Sequence, residues 1–431
     1  MARTMKDSGI EWIGMIPETW SIKKVKHCFV RKNEKAEQEN PIILSLARSG
    51  VKVRDVSTGE GQIAESYYNY NPVCVGDLLL NPMDLYSVAN CSVSKVEGVI
   101  SPAYINLRAK DNNNSSYYDY FFKTQYWGMT LFAHGKGVSF DNRWTLNAET
   151  LFNYFLPVPS VSEQQKIAKF LDEKIGAIDE LIIRTKESIE EYKRYKQSVI
   201  TEVITLGLDK AVVYKETNID YVKKIPAHWD VLKLRFLGSC QNGISKSSEA
   251  FGSGYPFVSY GDVYRNYELP EVVVGQVEST ESERENYSVK YGDVFFTRTS
   301  ETIEEVGFTS TCLKTIENAV FAGFVIRFRT FNNEKLSPRF SKYYFRSDIH
   351  RRFFVKEMNL VTRASLSQEL LKKLPVLLPP LEEQEEIADY LDVKCGEIDA
   401  LIAKKEAFVE EMEAYKKSLI YEYVTGKKEV L

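Results

Sequence analysis

Apolar positions follow two distinct rhythms along the chain. From residue 171 they recur at alternating intervals of four and three: Leu171, Ile175, Ile178, Ile182, Thr185, Ile189, Tyr192, Lys196, Val199 and Val203. The same spacing returns as Leu391, Cys395, Ile398, Ile402, Lys405, Val409, Met412, Lys416, Leu419 and Tyr423. A seven-residue repeat keeps one stripe of a helix turned toward a partner helix. Each run predicts a helix of about 45 residues, hence roughly 65 Å long. A lone helix with one apolar stripe is unstable in water, so the two are expected to pair. Antiparallel pairing is favoured, because parallel pairing would require the intervening segment to carry the chain back along the full helix length. Lys196 and Lys416 sit in the stripe, either snorkelling near frayed ends or fixing register. Gly176 and Gly396 weaken their helices by about 1 kcal/mol each relative to alanine, and their equivalent placement predicts close helix approach rather than a stop.

Outside these runs the pattern is short and β-rich. Pro41–Leu46, Asp77–Leu80, Tyr104–Leu107, Phe257–Ser259 and Phe321–Phe328 are apolar runs separated by Gly, Asn and Pro signals. Residues 117–133 and 338–357 read as helical. The expected organisation is α+β and internally duplicated: a globular region 1–160, a helix 161–206, a second globular region 207–380 and a second helix 381–426. Segment 207–220, with Gly207 and the polar run Lys215–Asp220, reads as a connector.

The duplication is visible residue by residue. Ile16-Pro17-Glu18-Thr19-Trp20 recurs as Ile225-Pro226-Ala227-His228-Trp229, and Gly76-Asp77 as Gly292-Asp293. Arg143 and Leu146 align with Arg363 and Leu366. Beyond Pro159 and Pro379 the correspondence tightens: Glu163-Gln164 with Glu383-Gln384, Leu171-Asp172 with Leu391-Asp392, Ile178-Asp179 with Ile398-Asp399, and Tyr195-Lys196 with Tyr415-Lys416. The globular interiors have diverged while the helices stayed in register.

The formal net charge of −4 argues mildly against a nucleic-acid ligand, but its distribution leaves DNA binding open. Residues 1–160 carry +1, 206–380 carry +3 and 381–425 carry −8, so the excess acid lies in one helical segment and local basic patches remain open. Six cysteines are scattered with no CxxC pair, which argues for buried thiols rather than zinc. No apolar run is long enough to span a bilayer and the first ten residues show no signal-peptide core; a cytoplasmic protein without membrane contact is expected.

Two similar but divergent domains on a helical ruler suit a DNA site read as two half-sites. Base reading needs Arg, Lys, Asn and Gln. Candidates in the first half are Arg48, Lys52 and Arg54 around Gly50, then Lys136, Asn142 and Arg143. In the second half they are Gln241, Lys246, Arg265, Arg298 and Arg363. Catalytic motifs are missing: Asn81-Pro82-Met83 lacks the second proline and aromatic of an adenine-methyltransferase motif, no phosphate loop occurs, and four histidines offer little material for a triad. A non-catalytic chain is expected. A coiled-coil adaptor that binds proteins through both globular regions would share the seam and the duplication; a basic face on both regions would favour DNA instead.

The Ile-Pro-x-x-Trp opening, the stretch Gly98-Val99-Ile100-Ser101-Pro102-Ala103-Tyr104, and the duplicated Pro-(x3)-Glu-Gln entry into each helix (Pro159–Gln164, Pro379–Gln384) resemble the specificity subunits of type I restriction–modification systems. The resemblance spans essentially the whole chain. It implies two target recognition domains, each reading one half of a split asymmetric site on double-stranded DNA, separated by a long antiparallel two-helix coiled coil. It further implies docking of two adenine-N6 methyltransferase subunits and of restriction/translocase subunits. S-adenosylmethionine, ATP and Mg2+ would then reside on those partners and no cofactor on this chain. The second half departs from the family pattern, with Asn318–Phe324 where Gly98–Tyr104 has its counterpart.

Overall fold

The computed structural model describes residues 3–57, 64–83, 85, 91–137, 144–300, 305–357 and 364–430. It divides into two compact units, one of residues 1–186 with 407–431 and the other of 187–406. Each unit takes its globular part from one repeat and its helical part from both.

In the first unit an antiparallel four-stranded sheet runs in the order Phe29–Arg31, Ile105–Ala109, Leu78–Leu80, Cys91–Val93. Ile105 lies opposite Leu80 and Leu107 opposite Leu78. The helix Ser115–Trp127 starts where the Asn114 side chain accepts the Tyr117 N–H, a standard N-cap. Its Tyr117, Tyr118, Phe121 and Phe122 are fully buried with Trp20 and Phe29. Burying these six aromatics, each covering some 150–250 Å², dominates the apolar stabilisation of such a domain. A smaller core of Leu44, Leu46, Val73, Leu79 and Ile100 lies on the other face. That arrangement explains why Leu78–Leu80 is apolar without alternation: Leu78 and Leu80 enter one core and Leu79 the other.

The second unit repeats the plan: Gly238–Asn242, Val325–Thr330, Val294–Thr297, Thr309–Thr311. Val294 lies opposite Phe328 and Phe296 opposite Ile326. An ion pair built on a buried acid also recurs. Asp77 accepts two bonds from Arg108 at 2.8 and 2.9 Å, and Asp293 two from Arg329 at 2.5 and 2.6 Å. The two Gly-Asp steps are thus turn glycines with φ near +90° followed by an acid that anchors the neighbouring strand.

The long helices are continuous over Val161–Leu206 and Leu381–Val424. Glycine ends both: Gly207 and Gly426 hold φ of +73° and +71°. Within each unit the helical contacts pair ascending with descending numbers. In the first, Phe170 meets Tyr423 with ring centroids 4.6 Å apart, Asp179 accepts from Lys416, and Lys186 pairs with Glu413 at 3.1 Å. In the second, Ile189 packs with Ile398 and Ile402, and Lys196 pairs with Asp399 at 2.6 Å. The two runs are therefore antiparallel inside each unit.

Several expectations change. Residues 117–133 form two helices, Ser115–Trp127 and Thr130–Ala133, because Met129 adopts a left-handed φ of 58°. Residues 338–357 likewise divide into Pro338–Tyr344 and Ile349–Glu357. The apolar run at 321–328 is two strands with different partners: Val320–Phe321 pairs in parallel with Phe257–Val258, and Val325–Thr330 joins the four-stranded sheet. The connector contains a strand, Tyr214–Ile219, paired with Val222–Pro226. Gly176 and Gly396 do not mark close helix approach; a Cβ at either would meet nothing within 4 Å. All six cysteines are free thiols.

Candidate nucleic-acid interface

A short antiparallel hairpin, Leu44–Ala47 with Gly50–Val53, carries the first group of candidates. Leu44 and Leu46 anchor it in the smaller core, and Gly50 closes the turn at φ +108°. Arg48 occupies the exposed tip and Lys52 is exposed on the second strand, opposite Ser45. Arg54 is half-buried, its backbone N–H bonded to the Ile43 carbonyl at 2.8 Å. A two-stranded ribbon of this kind fits the major groove, and here apolar anchorage on one side leaves cationic side chains on the other. Lys136 lies elsewhere in the unit, exposed and bridged to Thr145 through paired backbone bonds of 2.8 and 3.0 Å. Asn142 and Arg143 lie outside the described residues, as does Arg363 in the second unit.

The second unit builds the corresponding region differently. After the strand Phe251–Val258 the chain enters a helix, Tyr260–Arg265, fixed by a capping box between Ser259 and Asp262. In the first unit the residue at that place is Ile43, bridged in parallel to Val99, and a hairpin follows. Arg265 ends the helix and is exposed. Arg298 is half-buried between the strands Val294–Thr297 and Thr299–Ser300, its backbone bonded to Phe324 at 2.9 Å and Leu366 at 2.7 Å.

Two candidates are committed internally. Gln241 accepts from the guanidinium of Arg327, which is buried and also donates to the Ser288 carbonyl at 2.6 Å. Desolvation lowers the Arg327 pKa to about 10. Lys246 pairs with Glu283 at 2.6 Å, and Glu283 in turn caps the helix Glu281–Asn286. These two side chains hold the unit together before they meet any ligand.

The structure adds groups that spacing did not single out. Arg284 lies over the Tyr255 ring at 3.7 Å on the exposed part of the strand Phe251–Val258. Tyr260, Tyr264 and Phe308 stack in series, with centroids 5.9 and 5.3 Å apart, and Arg346 covers Phe308 at 4.5 Å. Arg284 and these aromatic rings suit bases and phosphates, whereas Arg346 is committed to the carbonyls of Val263, Tyr264 and Thr309. Only the alternation Phe251-Gly252-Ser253-Gly254-Tyr255 hints at it in the sequence. Gly254, at φ +101°, lies so close to the Val277 backbone that no larger residue fits.

The stripe positions of both helices are buried or half-buried, from Leu171, Ile175, Ile178 and Ile182 through Ile189, Tyr192, Val199 and Val203. The same holds for Leu391, Cys395, Ile398, Ile402, Val409, Met412, Leu419 and Tyr423. Among the described residues no group of three or more His, Cys, Asp or Glu could hold a metal ion, and no helix is long and apolar enough to cross a membrane.

A family model described as the type I restriction modification DNA specificity domain matches residues 17–191 and again 226–411. The chain is 28% identical over 240 residues to the EcoKI specificity subunit of Escherichia coli (strain K12), covering 54% of this chain and only 48% of that protein. It is 24% identical to the putative MjaX specificity subunit of Methanocaldococcus jannaschii, covering 96% of this chain and 95% of that one. Two solved structures share the fold. One, from work on complex assembly and conformational transition of the type I R-M system, matches with a TM-score of 0.72 at 15% identity, over 96% of this chain and 99% of that one. The other, the HsdS subunit of Thermoanaerobacter tengcongensis, matches with a TM-score of 0.52 at 14% identity, over 98% of this chain and 100% of that one.

Proposed function

The chain belongs to the type I restriction–modification specificity subunits, and from that premise we propose that it reads a split asymmetric site on double-stranded DNA, one half with each globular region, and directs partner enzymes to it. As a member of that family it is a non-catalytic subunit. Residues 1–160 and 207–380 are the target recognition domains of this reading; 161–206 and 381–426 form an antiparallel coiled coil whose length sets the unread spacer. Two adenine-N6 methyltransferase subunits dock on the chain, a restriction/translocase subunit joins them, and S-adenosylmethionine, ATP and Mg2+ belong to those partners in the cytoplasm.

The observation that carries the reading is where the two repeats agree and where they part. The sheets, the aspartate–arginine ion pairs and the helix contacts are duplicated, whereas the chain after the equivalent strand is a hairpin bearing Arg48 and Lys52 in one unit and a capped helix ending in Arg265 in the other. Two different readers on one repeated frame suit two different words of a bipartite site. In this reading Arg48, Lys52, Arg54, Lys136, Arg265 and Arg298 are the candidate DNA contacts, at base edges or at the phosphate backbone.

The test is adenine methylation across a genome in cells carrying the cognate methyltransferase with and without this chain. A bipartite methylated motif that vanishes with the chain, and changes in one half when one globular region is exchanged, is the expected result. A motif unaffected by removing the chain, with the methyltransferase active, refutes the reading and favours a protein adaptor.

A further inference from the structure

Each globular region turns sharply just before an inner strand of its four-stranded sheet. In the first, the Tyr104 N–H bonds the Ser101 carbonyl at 3.1 Å; in the second, the Val325 N–H bonds the Ala322 carbonyl at 3.0 Å. The strands that follow keep equivalent registers, with Leu107 opposite Leu78 and Phe328 opposite Val294. The turn Ser101-Pro102-Ala103-Tyr104 therefore corresponds to Ala322-Gly323-Phe324-Val325, one residue out of step with the match of Tyr104 to Phe324 in the sequence. At the third position of this turn the first region has Ala103 and the second Phe324.

The neighbouring chain differs in the same place. Pro82 and Arg298 are equivalent, since their carbonyls accept from the Leu146 N–H at 2.8 Å and the Leu366 N–H at 2.7 Å. Proline has no N–H to give the turn, whereas the Arg298 N–H donates to the Phe324 carbonyl at 2.9 Å. Two more contacts pin the second turn. The Ala322 N–H bonds the Val258 carbonyl at 3.1 Å, and Gly323 lies so close to Ser245 and Ile244 that a Cβ would meet them at 2.6 and 2.9 Å. Ala322 and Val325 are buried, yet Phe324 between them is 65% exposed. Single apolar residues on a surface are ordinary. Here, however, a turn pinned on three sides holds out a phenyl ring where the other copy has a methyl group. It does so beside Arg298, and where the chain leaves Val258 for the capped helix that ends in Arg265.

We propose that Phe324 is a wedge that enters between two adjacent base pairs of the half-site read by the second globular region, unstacking that step and kinking the duplex, with Arg298 on the phosphates beside it. The inference rests on the DNA-reading function proposed above. Apolar side chains inserted in this way kink DNA by about 20–90°. The first region, with Ala103, leaves its own half-site stacked, so the kink falls on one side of the bipartite site. The wedge also reads sequence without touching a base edge. Pyrimidine–purine steps, TA and CA/TG, unstack most easily, and such a step is expected where Phe324 enters. A protein partner fits less well: a stable interface buries roughly 800 Å² on each side, and the apolar protrusion of this turn is one side chain.

The test uses the full chain with its methyltransferase subunit on a duplex carrying the methylated motif. 2-Aminopurine is placed at successive positions, and donor and acceptor dyes mark the two ends. The wild type should brighten 2-aminopurine at one step of the second half-site, away from the target adenine, and bring the ends closer. Phe324→Ala should lose both signals and bind about tenfold more weakly, the scale of one base–aromatic stack. Phe324→Leu, which keeps an apolar wedge, should retain the kink. Exchanging the step for a purine–purine one should weaken the wild type by about fivefold or more and leave Phe324→Ala unmoved. The methyltransferase's own flipped adenine stays bright in every variant and serves as the reference, and melting curves matching the wild type establish folding. Phe324→Ala with the wild-type bend, 2-aminopurine profile and affinity would overturn the wedge and leave the DNA-reading assignment standing. A wild-type complex that binds the motif no better than a scrambled duplex would overturn both. Loss of the methyltransferase subunit from Phe324→Ala in native mass spectra would also overturn it, assigning the ring to a protein contact.

Discussion

The two repeats differ most in the segment that follows the strand pairing in parallel with the Gly98–Ile100 region or its counterpart. There the first unit makes a hairpin and the second a capped helix. They differ least where the opening segment meets the start of a long helix. Trp20 donates to Glu163 at 2.9 Å and Trp229 to Glu383 at 3.0 Å, both indoles buried. Gln164 and Gln384 each bind the carbonyl of the proline five residues earlier, at 3.1 and 2.9 Å. The ion pairs Lys196–Asp399 and Lys416–Asp179 exchange the two repeats. A frame that must hold has been kept to the level of single hydrogen bonds, while the segments that face outward from it were free to change even their secondary structure.

The largest expected effect lies in the shared frame. Trp20→Ala and Trp229→Ala should each cost about 3–5 kcal/mol, as removal of a buried Trp does, with Glu163 or Glu383 losing its indole donor but keeping Arg3 or His228 as partner. Denaturant melts of the full chain should show comparable losses, each confined to one unit. A loss at only one tryptophan would break the equivalence. The readers should behave oppositely. Arg48→Ala and Arg265→Ala should each relax methylation specificity by about 1–3 kcal/mol at one or two bases, at different halves of the site, with stability unchanged. Equal loss at every position of the motif would mark that arginine as a phosphate contact instead.

The frame was legible because its signals are periodic or repeated. Heptad spacing located both helices, and the duplicated Ile-Pro-x-x-Trp and Glu-Gln motifs located the junctions that the tryptophans and glutamines form. The readers were less legible for a physical reason. A surface arginine has no sequence partner to give it away, so Arg48, exposed at a turn, and Lys246, tied to Glu283, look alike until folded. Phe321–Phe328 read as one strand because both of its parts are buried; the turn at Gly323 between parallel and antiparallel partners leaves no trace in apolar periodicity. Tyr260 and Tyr264 lie one helical turn apart, but their stacking on Phe308 joins residues far apart in the chain, which no local pattern reveals.

An intermediate effect separates two equivalent acids. Asp172 accepts from the Tyr120 hydroxyl at 2.8 Å. Asp392 accepts from Tyr343 at 2.7 Å and also from Lys342 and Arg339, both at 2.6 Å. Burial raises the Asp392 pKa, but its bonds to Lys342, Tyr343 and Arg339 outweigh this and hold it below the usual carboxylate value. An acid with a depressed folded-state pKa contributes stability that is present above its unfolded value and lost as pH falls through the folded one. Asp392→Asn should therefore destabilise the second unit at neutral pH and lessen the decline in stability on acidification below about pH 4. Melting against pH checks this; parallel curves for wild type and variant would show that Asp392 adds no acid-side loss.

The smallest effect tests the helices where both copies carry the same apparent flaw. Gly176 and Gly396 sit inside continuous helices, are exposed, and would meet nothing if given a Cβ. Glycine leaves the unfolded chain more freedom than alanine does and covers the helix backbone less. Gly176→Ala and Gly396→Ala should each stabilise the isolated chain by about 0.5–1 kcal/mol, read as a modest rise in denaturation midpoint of similar size for both. A loss of stability in either variant would mean that something packs against that glycine in solution, restoring the close approach that the spacing of the sequence predicted.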